Sequence, residues 1–314
     1  MELIPLGTSS ASIVRDRGLS AYVLRDKGSV FLFDCGDGTQ FRLLKANIRR
    51  SRIKAIFISH LHGDHYLGIF GLLTSMFLEG RKAPLTIVAP RGLADIVDAH
   101  PGISSSDLSF PVQYVNLDED LELEEVYREP GLQVSTRPLE HGKFCVGYRA
   151  EKKPEPNQID GKLATALGVT DPEQFQKLAQ GLPVDTSSGY TVSPDQVRYQ
   201  TGTVFAYVTD TRPCQGGLDL ANNADLLVHE ATFSKSDAKH ARDTRHSTTD
   251  DAALLAKNAG AKKLLLTHIS SRYRDTVFLE NEARAVFPNS EIAQEYRTYP
   301  IVPERIELQI SPFA

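Results

Sequence analysis

Apolar residues fall in short runs along this chain. Residues 29–34, 55–59, 85–89, 132–139, 203–209, 225–228 and 263–267 are each rich in Val, Ile, Phe and Leu, which predicts strands. The opening Met-Glu-Leu-Ile-Pro-Leu-Gly-Thr has no basic flank and reads as a first strand, not a signal peptide. Helical spacing lies between several runs. Residues 39–46 carry Phe41, Leu43 and Leu44, residues 66–79 are strongly apolar, and residues 249–259 follow the cap candidates Thr248 and Thr249 and stop at Gly260. Strands interleaved with helices predict an α/β layered architecture. No stretch approaches the ~20 apolar residues of a membrane span, so no membrane partner is expected.

Residues 151–200 break the pattern. They hold Pro154, Pro156, Pro172, Pro183 and Pro194, few strand signals and one weak helical stretch at 162–167. A connection of about 50 residues with so little regular structure is unusual inside a compact domain. It predicts a flexible arm inserted into a single domain covering 1–314.

Composition changes this picture little. With 314 residues, 41% hydrophobic and 24% charged, the chain is an ordinary globular protein of one or two domains. Cys35, Cys145 and Cys214 are widely spaced and form no Cys-x-x-Cys pair, which argues against a disulfide framework and fits the cytoplasm. A net charge of −5 argues against general coating of nucleic acid and leaves room for a local basic patch.

Histidine is more informative. Ser59-His60-Leu61-His62-Gly63-Asp64-His65 follows a predicted strand and packs four potential ligands into six residues. In extended backbone His60 and His62 point to one side. Gly63 permits a sharp turn, and Asp64 and His65 then open a helix facing a second position. Imidazole and carboxylate suit Zn²⁺, with Mn²⁺ or Mg²⁺ as substitutes. His141, Asp210 and His268 each sit at a strand exit, where α/β folds place site residues. Taken singly each is a common turn residue. Together with the first cluster they are enough for two metals: His60, His62 and His141 on one, Asp64, His65 and His268 on the other, and Asp210 bridging. Two divalent cations, two aspartates and a hydroxide leave about +1, a centre that attracts a phosphodiester and hydrolyses it.

At these residues the chain resembles the metallo-β-lactamase superfamily, whose mark is His-x-His-x-Asp-His. Further motifs resemble the ribonuclease Z family, the tRNA 3′-processing endonucleases. They include Phe33-Asp34-Cys35-Gly36-Asp37-Gly38-Thr39-Gln40, Asp210-Thr211-Arg212, His229-Glu230-Ala231-Thr232-Phe233, His246-Ser247-Thr248-Thr249 and Leu266-Thr267-His268-Ile269-Ser270-Ser271-Arg272-Tyr273. The resemblance implies a four-layer αβ/βα sandwich, two Zn²⁺, precursor tRNA as substrate, and a homodimer. In that homodimer an arm, here 151–200, grips the tRNA elbow. It also implies catalytic roles for Asp64, His246 and Glu230, with His246 protonating the leaving ribose oxygen and Glu230 orienting it. The family's arm carries Gly-Pro where this chain reads Asp171-Pro172, and the added negative charge there should weaken phosphate contact.

RNA binding needs cations. Arg42, Lys45, Arg49, Arg50, Arg52 and Lys54 form a run free of acids, leading into the metal strand. Arg49, Arg50 and Arg52, with Arg91, Lys177 and Arg272, are the candidate phosphate contacts. The competing readings are a small-molecule or cyclic phosphodiesterase or arylsulfatase of the same fold, and a non-catalytic RNA-binding subunit, which would require lost ligands.

Overall fold

A computed structural model describes residues 1–153, 158–198 and 202–302. Its contacts divide the chain into two compact units. The first unit comprises 1–128, 134–150 and 204–301; the second comprises 129–133, 151–203 and 302–314.

Two seven-stranded sheets contain the first unit's strands. In chain order the strands of one are β1 (Glu2–Gly7), β2 (Ala21–Asp26), β3 (Ser29–Phe33), β4 (Ile53–Phe57), β5 (Leu85–Pro90) and β6 (Val112–Leu117). Those of the other begin with β7 (Glu124–Glu129), β8 (Leu132–Leu139) and β9 (Cys145–Lys152). A short ribbon of β10 (Val184–Asp185) and β11 (Thr191–Val192) belongs to the second unit. The second sheet continues through β12 (Thr203–Val208), β13 (Leu226–Glu230), β14 (Leu264–Thr267) and β15 (Ser290–Ile292), while β16 (Tyr299–Pro300) returns to pair with β1. Strands β3 to β6 run parallel, as do β12 to β15.

The period-two alternation of each strand decides the layering. Phe31 and Phe33 of β3, Phe57 of β4, and Phe205 and Tyr207 of β12 point between the sheets, where Phe33 meets Phe205 at 5.2 Å and Phe57 at 4.9 Å between ring centroids. The intervening Val30, Leu32 and Ile56 turn outward beneath α1 (Thr39–Lys45), α3 (Gly68–Leu78) and α4 (Leu93–Asp98). The short α2 (Gly63–Tyr66) lies just ahead of α3. On the other side, Ala206 and Val208 turn outward beneath later helices of the unit. Both faces of these strands are buried, so they read as continuous apolar runs. The result is the expected four-layer αβ/βα sandwich.

The second unit has its own small core of Ala164, Val169, Leu178, Val184, Val192 and Val197. It contains α5 (Gly161–Ala166), α6 (Pro172–Ala179) and α7 (Pro194–Val197). The expected helix at 162–167 corresponds to α5; α6 was not anticipated. Asp171 explains it: its carboxylate accepts the Glu173 N–H at 2.9 Å and closes a capping box with Gln174, with Pro172 at the first helical position. The departure from Gly-Pro is thus a helix cap. Pro154 and Pro156 lie outside the described residues.

The remaining helices of the first unit are α8 (Gln215–Ala221), α9 (Ala238–Thr244), α10 (Thr249–Asn258) and α11 (Val277–Val286). Among the described residues no helix is long and apolar enough to cross a membrane.

Candidate metal centre

All seven proposed ligands converge at strand ends of the first unit. The chain leaves β4 through buried Ser59 and His60, and an isolated bridge from His60 to Cys145 ties it to β9. Gly63 is the first residue of α2 and has no positive φ, so the turn expected there is instead an ordinary helix start. Glycine is required a few residues later: a Cβ on Gly68 would strike the Gly36 carbonyl. That close fit lets Cys35 accept from the Gly68 N–H and donate to the His65 carbonyl, clamping the Asp34 loop to α2 and α3.

His60 Nε2 lies 2.9 Å from His62 Nδ1, which lies 3.3 Å from His141 Nε2. Asp210 Oδ2 approaches His60 Nε2 at 3.7 Å and His141 Nε2 at 3.9 Å. This is the first cluster. In the second, Asp64 Oδ2 is 3.4 Å from His65 Nε2 and 3.6 Å from His268 Nε2. Asp210 Oδ1 reaches the same nitrogens at 3.5 and 3.2 Å. One oxygen of Asp210 therefore faces each cluster, as a bridging carboxylate would.

The buried Nε2 atoms of His65 and His268 have no hydrogen-bond partner, although carboxylates crowd them. Buried polar nitrogens are rarely left so, and a divalent cation satisfies both. Burial lowers the His60 pKa well below the ordinary imidazole value, with His65 adding to the effect, and burial likewise lowers His62 and His141. These rings favour the neutral form that ligates metals. Burial alone would raise Asp64 and Asp210, but the facing His268 and His65 hold both well below the usual carboxylate range. His65 goes the other way: burial lowers it, and Asp210 and Asp34 outweigh burial and hold it well above its ordinary value. The donor set, all imidazole and carboxylate, fits two Zn²⁺.

The outer nitrogens of the ligand rings are held too. Asp34, fully buried, accepts from His65 Nδ1 at 2.7 Å, Tyr207 Oη at 2.6 Å, and the Ser59 backbone N–H and Oγ at 2.8 and 2.9 Å. Thr232 Oγ1 donates to Glu230 at 2.6 Å and accepts from His268 Nδ1 at 2.9 Å. His141 Nδ1 donates to the Arg245 carbonyl at 3.2 Å. Each bond puts the proton on Nδ1 and leaves Nε2 free. Sequence reading assigned no role to Asp34, Thr232 or Arg245, although Asp34 carries the same strand-end signal as Asp210.

Beside the clusters, Glu230 Oε1 sits 2.8 Å from His246 Nδ1. Glu230 is fully buried and also accepts from the Thr211 N–H at 2.7 Å and the Thr232 N–H at 3.1 Å. Burial lowers the His246 pKa, but the charge and hydrogen bond of Glu230 outweigh it and push His246 up to about 9. His229 is buried and its Nδ1 donates to the Glu230 carbonyl at 2.7 Å, as a packing residue does.

The basic run is less free than its sequence implies. Arg42 turns inward to Glu295 at 2.7 Å, and Arg50 pairs with Glu79. Arg91 pairs with Asp118, and Arg272 lies 3.8 Å from Asp237 and over the Phe233 ring. Arg49, Arg52 and Lys54 are exposed, and Lys177 is exposed on α6. The count of six uncompensated charges is thus reduced by Arg42 and Arg50.

A family profile described as a Beta-lactamase superfamily domain matches residues 164–269, and one described as Anti-Pycsar protein Apyc1 matches residues 1–100. The chain is 46% identical over 310 residues to a Ribonuclease Z of Salinibacter ruber, covering 98% of this chain and 96% of that one. It is 37% identical over 308 residues to a Ribonuclease Z of Geobacillus kaustophilus, covering 96% and 99%. The crystal structure of human tRNase Z, short form, superposes with a TM-score of 0.69 at 27% identity, covering 96% of this chain and 100% of that chain. At 46% identity over nearly its whole length, the chain belongs to the ribonuclease Z family of the metallo-β-lactamase superfamily.

Proposed function

We propose that the chain is a zinc-dependent endoribonuclease acting on precursor tRNA. It removes the 3′ trailer by cutting after the discriminator nucleotide, leaving a tRNA 3′-hydroxyl and a trailer 5′-phosphate. The observation that carries this reading is the buried Glu230 carboxylate pinned to His246 beside two ligand clusters. Such a pair protonates a poor leaving group, which a ribose 3′-oxygen is.

His60, His62 and His141 would hold one ion, Asp64, His65 and His268 the other, with Asp210 facing both; Mn²⁺ or Mg²⁺ could substitute. When bound, such a pair supplies a nucleophilic water at neutral pH and offsets charge on the phosphate oxygens. The protein's groups supply the rest. Glu230 holds His246 protonated at Nδ1, so Nε2 is the face that gives its proton to the departing oxygen. Thr211 and Thr232 fix Glu230 in turn. Arg49 and Arg52, with Arg50, Arg91 and Arg272 beside their carboxylates, offer phosphate contacts. The unit around 151–200 acts as the tRNA-gripping arm, with Lys177 exposed on α6.

A homodimer fits the exposed apolar face where α1 packs on α3: Phe41 is 70%, Leu44 68% and Leu78 76% exposed. Three free cysteines and no membrane helix among the described residues support a cytoplasmic setting.

The test is end-mapping of a cleaved precursor tRNA with wild type, Asp210→Ala and His246→Ala, against hydrolysis of a small phosphodiester. A single cut after the discriminator, lost in Asp210→Ala and slowed about a hundredfold or more in His246→Ala, supports the reading. Hydrolysis of the small ester with the tRNA left intact refutes it.

A further inference from the structure

Glu230 is the last residue of β13, and His246 lies between α9 and α10, outside regular structure. Their 2.8 Å bond therefore depends on how the chain beyond β13 meets the chain entering α10. The backbone joins the two segments around Phe233. Its N–H donates to the Ser247 carbonyl at 3.3 Å, and its carbonyl accepts from the Thr249 N–H at 3.0 Å.

A third element clamps this junction. Leu279 and Ala283, both fully buried, anchor α11 in the core, and α11 packs against α10. Glu282, three residues after Leu279, lies on the same side of the helix. Its half-buried carboxylate takes hydrogen bonds from both segments. Oε1 accepts from Ser234 Oγ at 2.9 Å, while Oε2 accepts from the Lys235 N–H at 3.1 Å and from Thr249 Oγ1 at 2.6 Å. Ser234 follows Glu230 by four residues, and Thr249 follows His246 by three. Both hydroxyl residues are buried, and the Thr249 side chain is spared for this bond because Thr248 caps α10. The Lys235 ammonium turns away to Asp250, so its contact with Glu282 is a backbone bond and not an ion pair. Hydrogen bonds to a carboxylate are about twice as strong as those between neutral groups. Three of them, drawn from two segments, hold those segments in one register.

The need for such a clamp follows from the acid role of His246 proposed above, on which this inference rests. An acid must stay within hydrogen-bond reach of the oxygen it protonates, and a misplacement of about 1 Å can cost about a hundredfold in rate. We propose that Glu282 is a positioning residue for proton delivery: it locks the segment after Glu230 to the entry of α10, and so keeps His246 on Glu230 and aimed at the leaving ribose oxygen. Its bonds go to Ser234, Lys235 and Thr249, so it acts through the pair rather than on the substrate.

The test uses the zinc-loaded, full-length protein and precursor tRNA, with the single-turnover rate and Kd measured separately. Glu282→Ala should slow the cut about tenfold, a part of what a 1 Å misplacement can cost, with Kd and zinc content as in the wild type. Glu282→Gln should restore most of the rate. Its amide oxygen can accept from the Lys235 N–H and Thr249 Oγ1, and its NH₂ can donate to Ser234 Oγ, which accepts as readily as it donates. A residue that acts through His246 loses its effect once His246 is gone, so adding Glu282→Ala to His246→Ala should cost nothing further. Thr249→Val, which keeps the shape and removes one bond of the three, should reproduce part of the loss, again only while His246 is present; it carries the test should Glu282→Ala fail to fold. A wild-type rate in Glu282→Ala, a weaker Kd in place of a slower cut, a loss as large in Glu282→Gln, or an equal loss in the His246→Ala background overturns the inference. His246→Ala that cuts at the wild-type rate overturns the acid reading itself, and the inference falls with it.

Discussion

Replacing Asp34 by Asn isolates what this buried carboxylate does for the metal centre. The change is isosteric, and Asn tolerates the left-handed conformation (φ 55°) that Asp34 adopts. Oδ1 accepts only the Ser59 N–H, while Oδ2 accepts from Ser59 Oγ, Tyr207 Oη and His65 Nδ1. An Asn amide must therefore choose. If its oxygen stays on the Ser59 N–H, its NH₂ faces His65 Nδ1 and forces that nitrogen to accept. The His65 proton then moves to Nε2, the atom aimed at the second cluster. With the amide flipped, its NH₂ opposes the Ser59 N–H, leaving a buried donor unpaired at a cost of about 1–3 kcal/mol. Serine and tyrosine hydroxyls can rotate to accept; the imidazole and the backbone cannot adapt so cheaply. Loss of an outer partner of a ligand histidine typically costs 10–100-fold in metal affinity, about 1.4–2.7 kcal/mol. The second ion, between Asp64, His65 and His268, should bear the loss. Competition with a graded series of chelators, followed by elemental analysis, reads this directly. Asp34→Asn should retain close to one zinc per chain where the wild type retains two, and its Tm should depend more steeply on free zinc. Two ions held at wild-type affinity would refute the tautomer argument.

Two further outcomes follow from the site and from the arm. Glu230→Gln keeps an acceptor for the Thr211 N–H and removes the charge that raises His246. The rise from 6.5 to about 9 corresponds to roughly 3 kcal/mol of coupling. Because the His246 pKa is raised, its protonated form is present below that pKa and lost as pH rises through it. The alkaline limb of kcat/KM should therefore move toward acid by more than a pH unit in the variant, and a limb that stays in place counts against His246 as the acid. In the second unit, Asp171→Ala should destabilise α6 locally by about 1 kcal/mol, whereas Asp171→Gly should cost only a few tenths. Hydrogen exchange of the α6 amides checks this, and equal protection in both variants would mean that Asp171 is not a working cap.

The ligands were legible because metal chemistry is local in sequence at one end and placed by a general rule at the other. Four of them share six residues, and His141, Asp210 and His268 each follow an apolar run, so strand ends could be read as site positions. The layers were legible from the same runs, since strands buried on both faces lose their polar alternation. The partners were not. Arg42 and Glu295 lie far apart in the chain, as do Arg50 and Glu79, and a basic run shows nothing of the carboxylates that fold onto it. Asp171 was legible in principle, since Asp-Pro-Glu-Gln carries the N-cap, the first-turn proline and the capping-box residue.

Backbone conformation was the least legible feature, and it matters most at the centre. Asp34, Arg245 and His268 are all left-handed, with φ of 55°, 59° and 54°. Asp accepts this readily; His and Arg do so at a cost of order 1–3 kcal/mol. Asp34 follows β3 directly and His268 follows β14 directly, while Arg245 caps α9 immediately before His246. At each, one left-handed residue turns the chain sharply where the element ends. Thr232, tied to Glu230 and His268, and Asp34, tied to His65, then fix those side chains by hydrogen bonds rather than by packing. These hydrogen bonds hold the carboxylates and the unpartnered imidazole nitrogens in place where they are buried together. The binding of two cations offsets both the backbone strain and the electrostatic crowding, so metal occupancy and folding stability of the first unit should be tightly coupled.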